Sequence, residues 1–203
     1  MPELSLPLSN NFTLGEFLRS ETAERDYELK REQENPPEEV IANLQYLVET
    51  TLQPVRDAFG YPIKISSGYR CQLLNKLVGG SATSQHCSGE AADCQLLPRF
   101  LHDPAAGAIR EQIREEIQER TGRTVKPEIN ENFYLFAYVC LRLDNFDVDQ
   151  IIHEYGEDFG RPAWVHISAS TRQNKRQILA IGIYTNRYYL KPTFEEALAY
   201  GVA

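Results

Sequence analysis

The sequence predicts an α+β domain in which a small, mostly antiparallel sheet is flanked by helices. Apolar residues recur at helical spacing from Val40 to Val55. Short segments such as 163–168 alternate apolar and polar residues, as half-buried strands do. A chain of 203 residues, of which 25% are charged, is long enough for one well-buried core. We therefore expect a single domain spanning residues 1–203.

Local signals predict the N-terminal elements in order. Thr13 and Glu16 form a capping box that begins a short helix reaching about residue 19. The charged segment 20–36 is expected to be a solvated excursion with little structure. Pro37 suits the first turn of a helix that continues to about residue 59, and Pro54 should kink or split that helix.

The strands are predicted from residue 62 onward. Helical patterns fill 98–145, with a charged helix at 105–122 and an apolar helix at 131–143. The latter could instead be a strand, because it is rich in Phe, Tyr and Val. We expect 98–145 to be a helical insertion that serves as a lid or as a brace. Strands are predicted at 62–66, 90–94, 146–155, 163–168 and 177–184.

Composition excludes several classes of function. The formal net charge of −8 disfavours binding to nucleic acid or to anionic membranes. No apolar run reaches transmembrane length. The four cysteines form no Cys-x-x-Cys pair, so free thiols are expected. Cys87 and Cys94 flank candidate metal ligands, which keeps thiolate ligation as an alternative.

Two histidines and one aspartate form a candidate metal site. His86 lies on a loop just before the strand that carries Asp93, and His166 lies on a later strand with Trp164 and Ser168 on the same face. Three ligands leave a tetrahedral metal ion one open position, which is typical of catalytic zinc. In the alternative interpretation, both histidines are half-buried and hydrogen-bonded to backbone.

Three motifs carry a family resemblance. The sequence contains SGYR at 67–70, SxHxxGxAxD at 84–93 and WVHIS at 164–168. Together they resemble the M15 zinc peptidases, which include D-Ala-D-Ala carboxypeptidases and the L-alanyl-D-glutamate endopeptidases of phage endolysins. The family shares its metal-binding fold with hedgehog signalling domains. The resemblance extends from about residue 12 to 176, with FTLxEF at 12–17 and PPxxV at 36–40.

The resemblance implies one zinc ion, bound on the sheet face by the two histidines and the aspartate. It also implies a general base in a Glu-aromatic-Gly phrase before the second histidine, and Glu154 occupies that position. Such a carboxylate takes a proton from water and later gives it to the leaving amine. The connection 157–163 looks longer than in the family, so Glu157 and Asp158 are alternative bases.

The resemblance also assigns the neighbours of the ligands. Arg70 would contact substrate or polarise the scissile carbonyl, and the alternative is a structural arginine at the sheet. Ser84 and Gln85 would bind the substrate backbone or shape the His86 loop. Trp164 would wall the substrate pocket or join the core.

Three further residues have weaker assignments. Alternation along the strand sends His153 to the face opposite Glu154, which indicates a structural role. Arg172 and Arg176 could attract an anionic peptide or could be solvated surface.

The implied function is zinc-dependent hydrolysis of a peptidoglycan stem peptide, with the D-Ala-D-Ala carboxypeptidase type favoured. The alternatives are an L-alanyl-D-glutamate endopeptidase, an amidase-like hydrolase of another wall bond, and a non-catalytic zinc-binding module of a phage particle. We expect a monomer. No secretory signal is recognised at the N-terminus, so we expect a cytoplasmic protein until it is released or carried on a phage particle.

Overall fold

A five-stranded sheet organises the chain. The computed structural model describes residues 2–156, 158–185 and 189–202. The strand order is β1-β2-β4-β3-β5, and every neighbouring pair is antiparallel except β3 with β5. This confirms the predicted α+β class with its mostly antiparallel sheet. The strands are β1 (Lys64–Ser67), β2 (Ala91–Gln95), β3 (Gln150–Glu154), β4 (Trp164–Ser168) and β5 (Gln177–Ile181).

Helices pack against part of the sheet. The capping box of Thr13 and Glu16 forms as predicted, and the helix with Pro54 is divided by a π-helical turn, Val48–Leu52. None of the helices in the described ranges has the length and apolarity needed to cross a membrane. The helices are α1 (Leu14–Leu18), α2 (Tyr27–Gln33), α3 (Glu38–Leu47), α4 (Gln53–Phe59), α5 (Gln72–Leu77), α6 (Gly107–Thr121), α7 (Glu131–Cys140) and α8 (Phe194–Ala199).

The prediction of little structure for 20–36 was wrong. Asp26 caps α2 by accepting a hydrogen bond from the Leu29 amide. Leu29 and Gln33 are buried, while the charged residues between them face solvent. The Gln33 amide group donates to the Tyr69 carbonyl and accepts from the Cys71 amide. Two inward residues were too few to give a periodic signal, yet they tie α2 to the turn after β1.

The sheet has one face in the main core and another that carries polar residues. Alternate residues of the central strands, including Val165 and Ile167, belong to the main core cluster. The apolar segment after residue 130 is a helix, α7, and all of its residues from Asn132 to Cys140 are buried. It packs against β3 and β4. Because these strands bury their core side beneath α7, this helix has the position of a brace rather than a lid.

Candidate metal centre and active site

His86, Asp93 and His166 converge on the polar face of the sheet. Asp93 and His166 are direct cross-strand partners on β2 and β4. His86 comes from a 3-10 turn, Gln85–Ser88. The Asp93 Oδ1 atom lies 3.2 Å from His86 Nε2 and 3.1 Å from His166 Nδ1, and the two nitrogens are 3.2 Å apart. All three side chains are buried.

This triangle of atoms fits a tetrahedral metal ion. Ligand atoms about 2.0–2.1 Å from a tetrahedral zinc lie about 3.3 Å from each other. The observed separations of 3.1–3.2 Å are close to that value. The donor set of two imidazoles and one carboxylate is also one that zinc prefers. Among the described residues, these three form the one group of His, Cys, Asp and Glu side chains with metal-ligand spacing.

Hydrogen bonding identifies which ring nitrogen of His86 carries no proton. Its Nδ1 atom lies 2.6 Å from the Gly68 carbonyl oxygen, which can only accept, so Nδ1 carries the proton. The lone pair of Nε2 therefore faces Asp93 and His166, as a metal ligand requires. In return, the Arg70 amide donates to the His86 carbonyl at 3.1 Å. These two bonds join the 67–70 turn to the His86 turn.

His166 directs its Nδ1 atom to the other two candidate ligand atoms. Its Nε2 atom is buried and has no hydrogen-bond partner among the residues that the structure describes. The ligand role of His166 therefore rests on Nδ1, which lies 3.2 Å from His86 Nε2 and 3.1 Å from Asp93 Oδ1.

Asp93 is held in its charged form. Burial alone would raise its pKa, but electrostatic interaction and hydrogen bonding with His86 and His166 keep the pKa of Asp93 well below its usual range. The Arg70 guanidinium adds a salt bridge, with Nη2 at 2.7 Å from Asp93 Oδ2. Arg70 Nε also donates to Ser67 Oγ at 3.0 Å. Arg70 thus supports a candidate ligand directly, an arrangement that the sequence did not predict.

Glu154 and Trp164 form the next pair across the sheet. They are cross-strand partners on β3 and β4, two residues from the row that contains His166. Trp164 Nε1 donates to Glu154 Oε2 at 2.7 Å, and the Trp164 ring packs against Tyr155 with centroids 5.4 Å apart. Burial raises the pKa of Glu154. Besides its predicted role in lining the substrate pocket, Trp164 is therefore placed to orient the Glu154 carboxylate.

The alternative bases differ from Glu154 in their surroundings. Asp158 is paired with Arg161, with Oδ2 2.7 Å from Nη2, and its Oδ1 accepts from the Gly160 amide at 2.8 Å. Its carboxylate is therefore already engaged in local bonds within its own turn. Glu157 lies outside the described residues.

His153 and Cys94 point to the core side of the sheet. His153 is fully buried, with its ring 5.4 Å from Phe136 and 5.8 Å from Tyr200. Burial lowers the pKa of His153 to about 4. Cys94 belongs to the main core cluster, and burial raises the pKa of its thiol. Both residues are placed for packing rather than for ligation.

A polar groove lies beside the turn that carries His86. Its volume is about 490 Å³, and it includes the predicted substrate contacts Ser84 and Gln85. Gln85 Nε2 donates to Asp149 Oδ2 at 2.8 Å. The groove is lined by Gln72, Ala82, Thr83, Ser84, Gln85, Cys87, Ser88, Glu90, Asp149, Ser170, Arg172, Gln173 and Lys175.

Sequence reasoning missed several of these neighbours. The structure buries Glu90, and the signal available in the sequence was an acidic residue between Gly89 and Ala91 inside the 84–93 motif. Asp149 and Tyr189 gave no comparable signal. Leu190 pairs with Ala180 beside β5, and Tyr189 immediately precedes Leu190. Burial, together with the charges of Glu154, Tyr155 and Asp93, raises the pKa of Tyr189 to about 12.

Comparison with known families gives one match. The family model described as Peptidase M15 matches residues 10–124. The matched part includes Arg70, His86 and Asp93, whereas Glu154 and His166 lie beyond it. The curated proteins contain no match to this chain.

Proposed function

Since the chain belongs to the peptidase M15 family, a family of zinc-dependent peptidases acting on peptidoglycan, we propose that it hydrolyses peptidoglycan stem peptides as a D-Ala-D-Ala carboxypeptidase. One observation carries the proposal. Three buried ligand atoms from His86, Asp93 and His166 stand 3.1–3.2 Å apart beside a buried carboxylate. That combination supplies both a metal site and a proton carrier.

His86 Nε2, Asp93 Oδ1 and His166 Nδ1 would hold the zinc ion. When bound, zinc lowers the pKa of a water molecule and polarises a carbonyl group. Asp93 contributes the negative charge of the ligand set, and its salt bridge with Arg70 fixes the orientation of the carboxylate. The Gly68 carbonyl fixes the ring of His86. The protein therefore holds the ligand atoms in place before the metal arrives.

Glu154 is the proposed proton carrier. Its Oε2 atom is occupied by the Trp164 N–H, which leaves Oε1 to accept a proton from the attacking water. Its raised pKa brings it nearer to the working pH, and this favours both taking the proton and returning it to the leaving amine. Trp164 keeps the carboxylate in one orientation through both steps.

Arg70 is proposed to act on the scissile carbonyl as well as on Asp93. Its Nε and Nη2 atoms bond to Ser67 and Asp93. Its Nη1 group has no hydrogen-bond partner within the described ranges. A guanidinium fixed on one side and free on the other suits stabilisation of a developing oxyanion.

Digestion of defined stem peptides tests the proposal. Purified protein with measured zinc content is incubated with pentapeptide stems, and the products are identified by mass spectrometry. Release of one alanine supports the carboxypeptidase type, whereas cleavage between L-alanine and D-glutamate would replace it with the endopeptidase type. Activity must disappear with a chelator and return with zinc. Stoichiometric zinc without hydrolysis of any stem or wall fragment would favour a non-catalytic binding module.

A further inference from the structure

The polar groove lies at a defined distance from the candidate metal centre. Glu90 precedes β2 and stands three residues before Asp93. Asp149 precedes β3 and stands three residues before Ile152, which is the cross-strand partner of His166. At about 3.3 Å per residue, the groove begins about 10 Å from the ligand row. An extended peptide spans that distance with about three residues. Gln85 lines the groove and immediately precedes the candidate ligand His86, so a stem peptide bound at the centre is long enough to reach the groove.

The two carboxylates in the groove are already occupied by protein donors. Glu90 is buried and accepts from Ser88 Oγ at 2.9 Å and from Ser170 Oγ at 2.8 Å. It also binds Arg172 Nη2 at 3.1 Å. Asp149 accepts from Gln85 on one oxygen and from the Lys175 amide on the other. These acids hold the groove's walls and have little capacity left for a ligand.

The groups that remain for a ligand are mainly donors. The Arg172 side chain is 79% exposed, and only its Nη2 atom is engaged by Glu90. No carboxylate of the described residues lies within ion-pair distance of the Lys175 ammonium. In contrast, Gln85 Oε1 is a buried acceptor with no hydrogen-bond partner among those residues. Two cations and one unsatisfied acceptor suit a peptide that carries a carboxylate.

The direction of the substrate follows from Glu154. This residue ends β3, whereas Asp149 immediately precedes that strand. If Glu154 returns a proton to the leaving amine, the leaving group lies at the end of the strand away from the groove. The acyl part of the substrate then extends toward Asp149 and the groove.

We propose that this groove binds a carboxylate on the acyl side of the scissile bond, through Arg172 and Lys175, while Gln85 Oε1 accepts a peptide N–H. The inference rests on the proposed function and specifies its substrate. The chemistry fits the glutamate of a stem peptide, two residues before the acyl alanine. Arg172 and Lys175 therefore determine specificity, and they take no part in bond cleavage.

Two peptides test this assignment. Both end in D-Ala-D-Ala and contain γ-linked glutamate two residues before the acyl alanine; one has its free α-carboxylate and the other the carboxamide. We expect the wild-type kcat/KM to favour the free acid by about tenfold. Arg172→Gln and Lys175→Gln should each reduce this preference, mainly through KM. Arg176→Gln is the matched control, because its guanidinium bonds to Leu143 and faces Asp144 instead of the groove.

Each outcome has one interpretation. If Arg172→Gln lowers kcat/KM equally for both peptides, its role is only to support Glu90 and the assignment is wrong. A wild-type enzyme that cleaves both peptides equally well also overturns it, but leaves the proposed function intact. If the wild-type enzyme cleaves neither peptide, the proposed function fails and the inference falls with it.

Discussion

Glu154→Gln is the sharpest test of the proton-transfer role. The amide oxygen of glutamine can still accept the Trp164 N–H, so the cross-strand bond of 2.7 Å can survive. The amide cannot carry the proton, and loss of a positioned acid-base group lowers kcat by about 10²- to 10⁴-fold. Glu154 is only 8% exposed and burial raises its pKa, so a neutral residue of equal size should keep or raise the free energy of unfolding.

The assay combines steady-state hydrolysis of a stem peptide, zinc content and thermal unfolding. We expect kcat to collapse while zinc remains stoichiometric and the unfolding temperature does not fall. Glu111→Gln, on the exposed surface of α6, is the control for loss of one negative charge. A variant that retains activity within tenfold of the wild type would refute Glu154 as the base. Loss of zinc together with activity would show that Glu154 supports the metal site instead.

Three further perturbations follow from the structure. The pKa of His153 in the folded protein is about 4, below the ordinary 6.5. The buried neutral imidazole therefore contributes fully to the free energy of unfolding above pH 6.5, and this contribution is lost as the pH falls toward 4. Between pH 7 and pH 4.5, the free energy of unfolding measured with denaturant should fall by about 2 kcal/mol more in the wild type than in His153→Phe. Equal falls in the two proteins would contradict this. Gly122→Ala, at φ 68° in open space, should lower the free energy of unfolding by about 1 kcal/mol. Gly89→Ala, at φ 74°, would place its new Cβ 2.6 Å from a backbone carbonyl oxygen, so this variant should lose more stability and bind zinc more weakly. Similar unfolding free energies for the two variants would rule out that steric argument. Trp164→Phe removes the donor to Glu154, so kcat should fall about tenfold with zinc content unchanged, and an unchanged kcat would exclude the orienting role.

Local periodicity predicted most of the elements. The strand at 163–168 was placed within one residue of β4, because alternation and the bounding turns are short-range properties. The prediction for 146–155 was too long, since β3 is only Gln150–Glu154 and the preceding residues form a loop. The strand order could not be predicted, because it depends on pairings between distant segments. The helix α2 was missed because its inward face consists of two residues.

The site was predictable as a set of side chains but not as a set of contacts. The motif spacing identified His86, Asp93 and His166, and the structure brings their ligand atoms together. The salt bridge of Arg70 with Asp93 joins residues on different elements, and no local pattern encodes it. The engagement of Arg172 by the buried Glu90 was equally hidden, because the two residues are far apart in sequence.

The direct pairing of Asp93 with His166 links metal uptake to correct assembly of the sheet. A shift of one residue between β2 and β4 would turn His166 toward the core and Val165 toward the ligands. Such a misaligned chain could not chelate the ion. A bound metal would therefore stabilise the native alignment selectively, and the rate at which zinc becomes tightly held during refolding would report when these two strands have found their proper register.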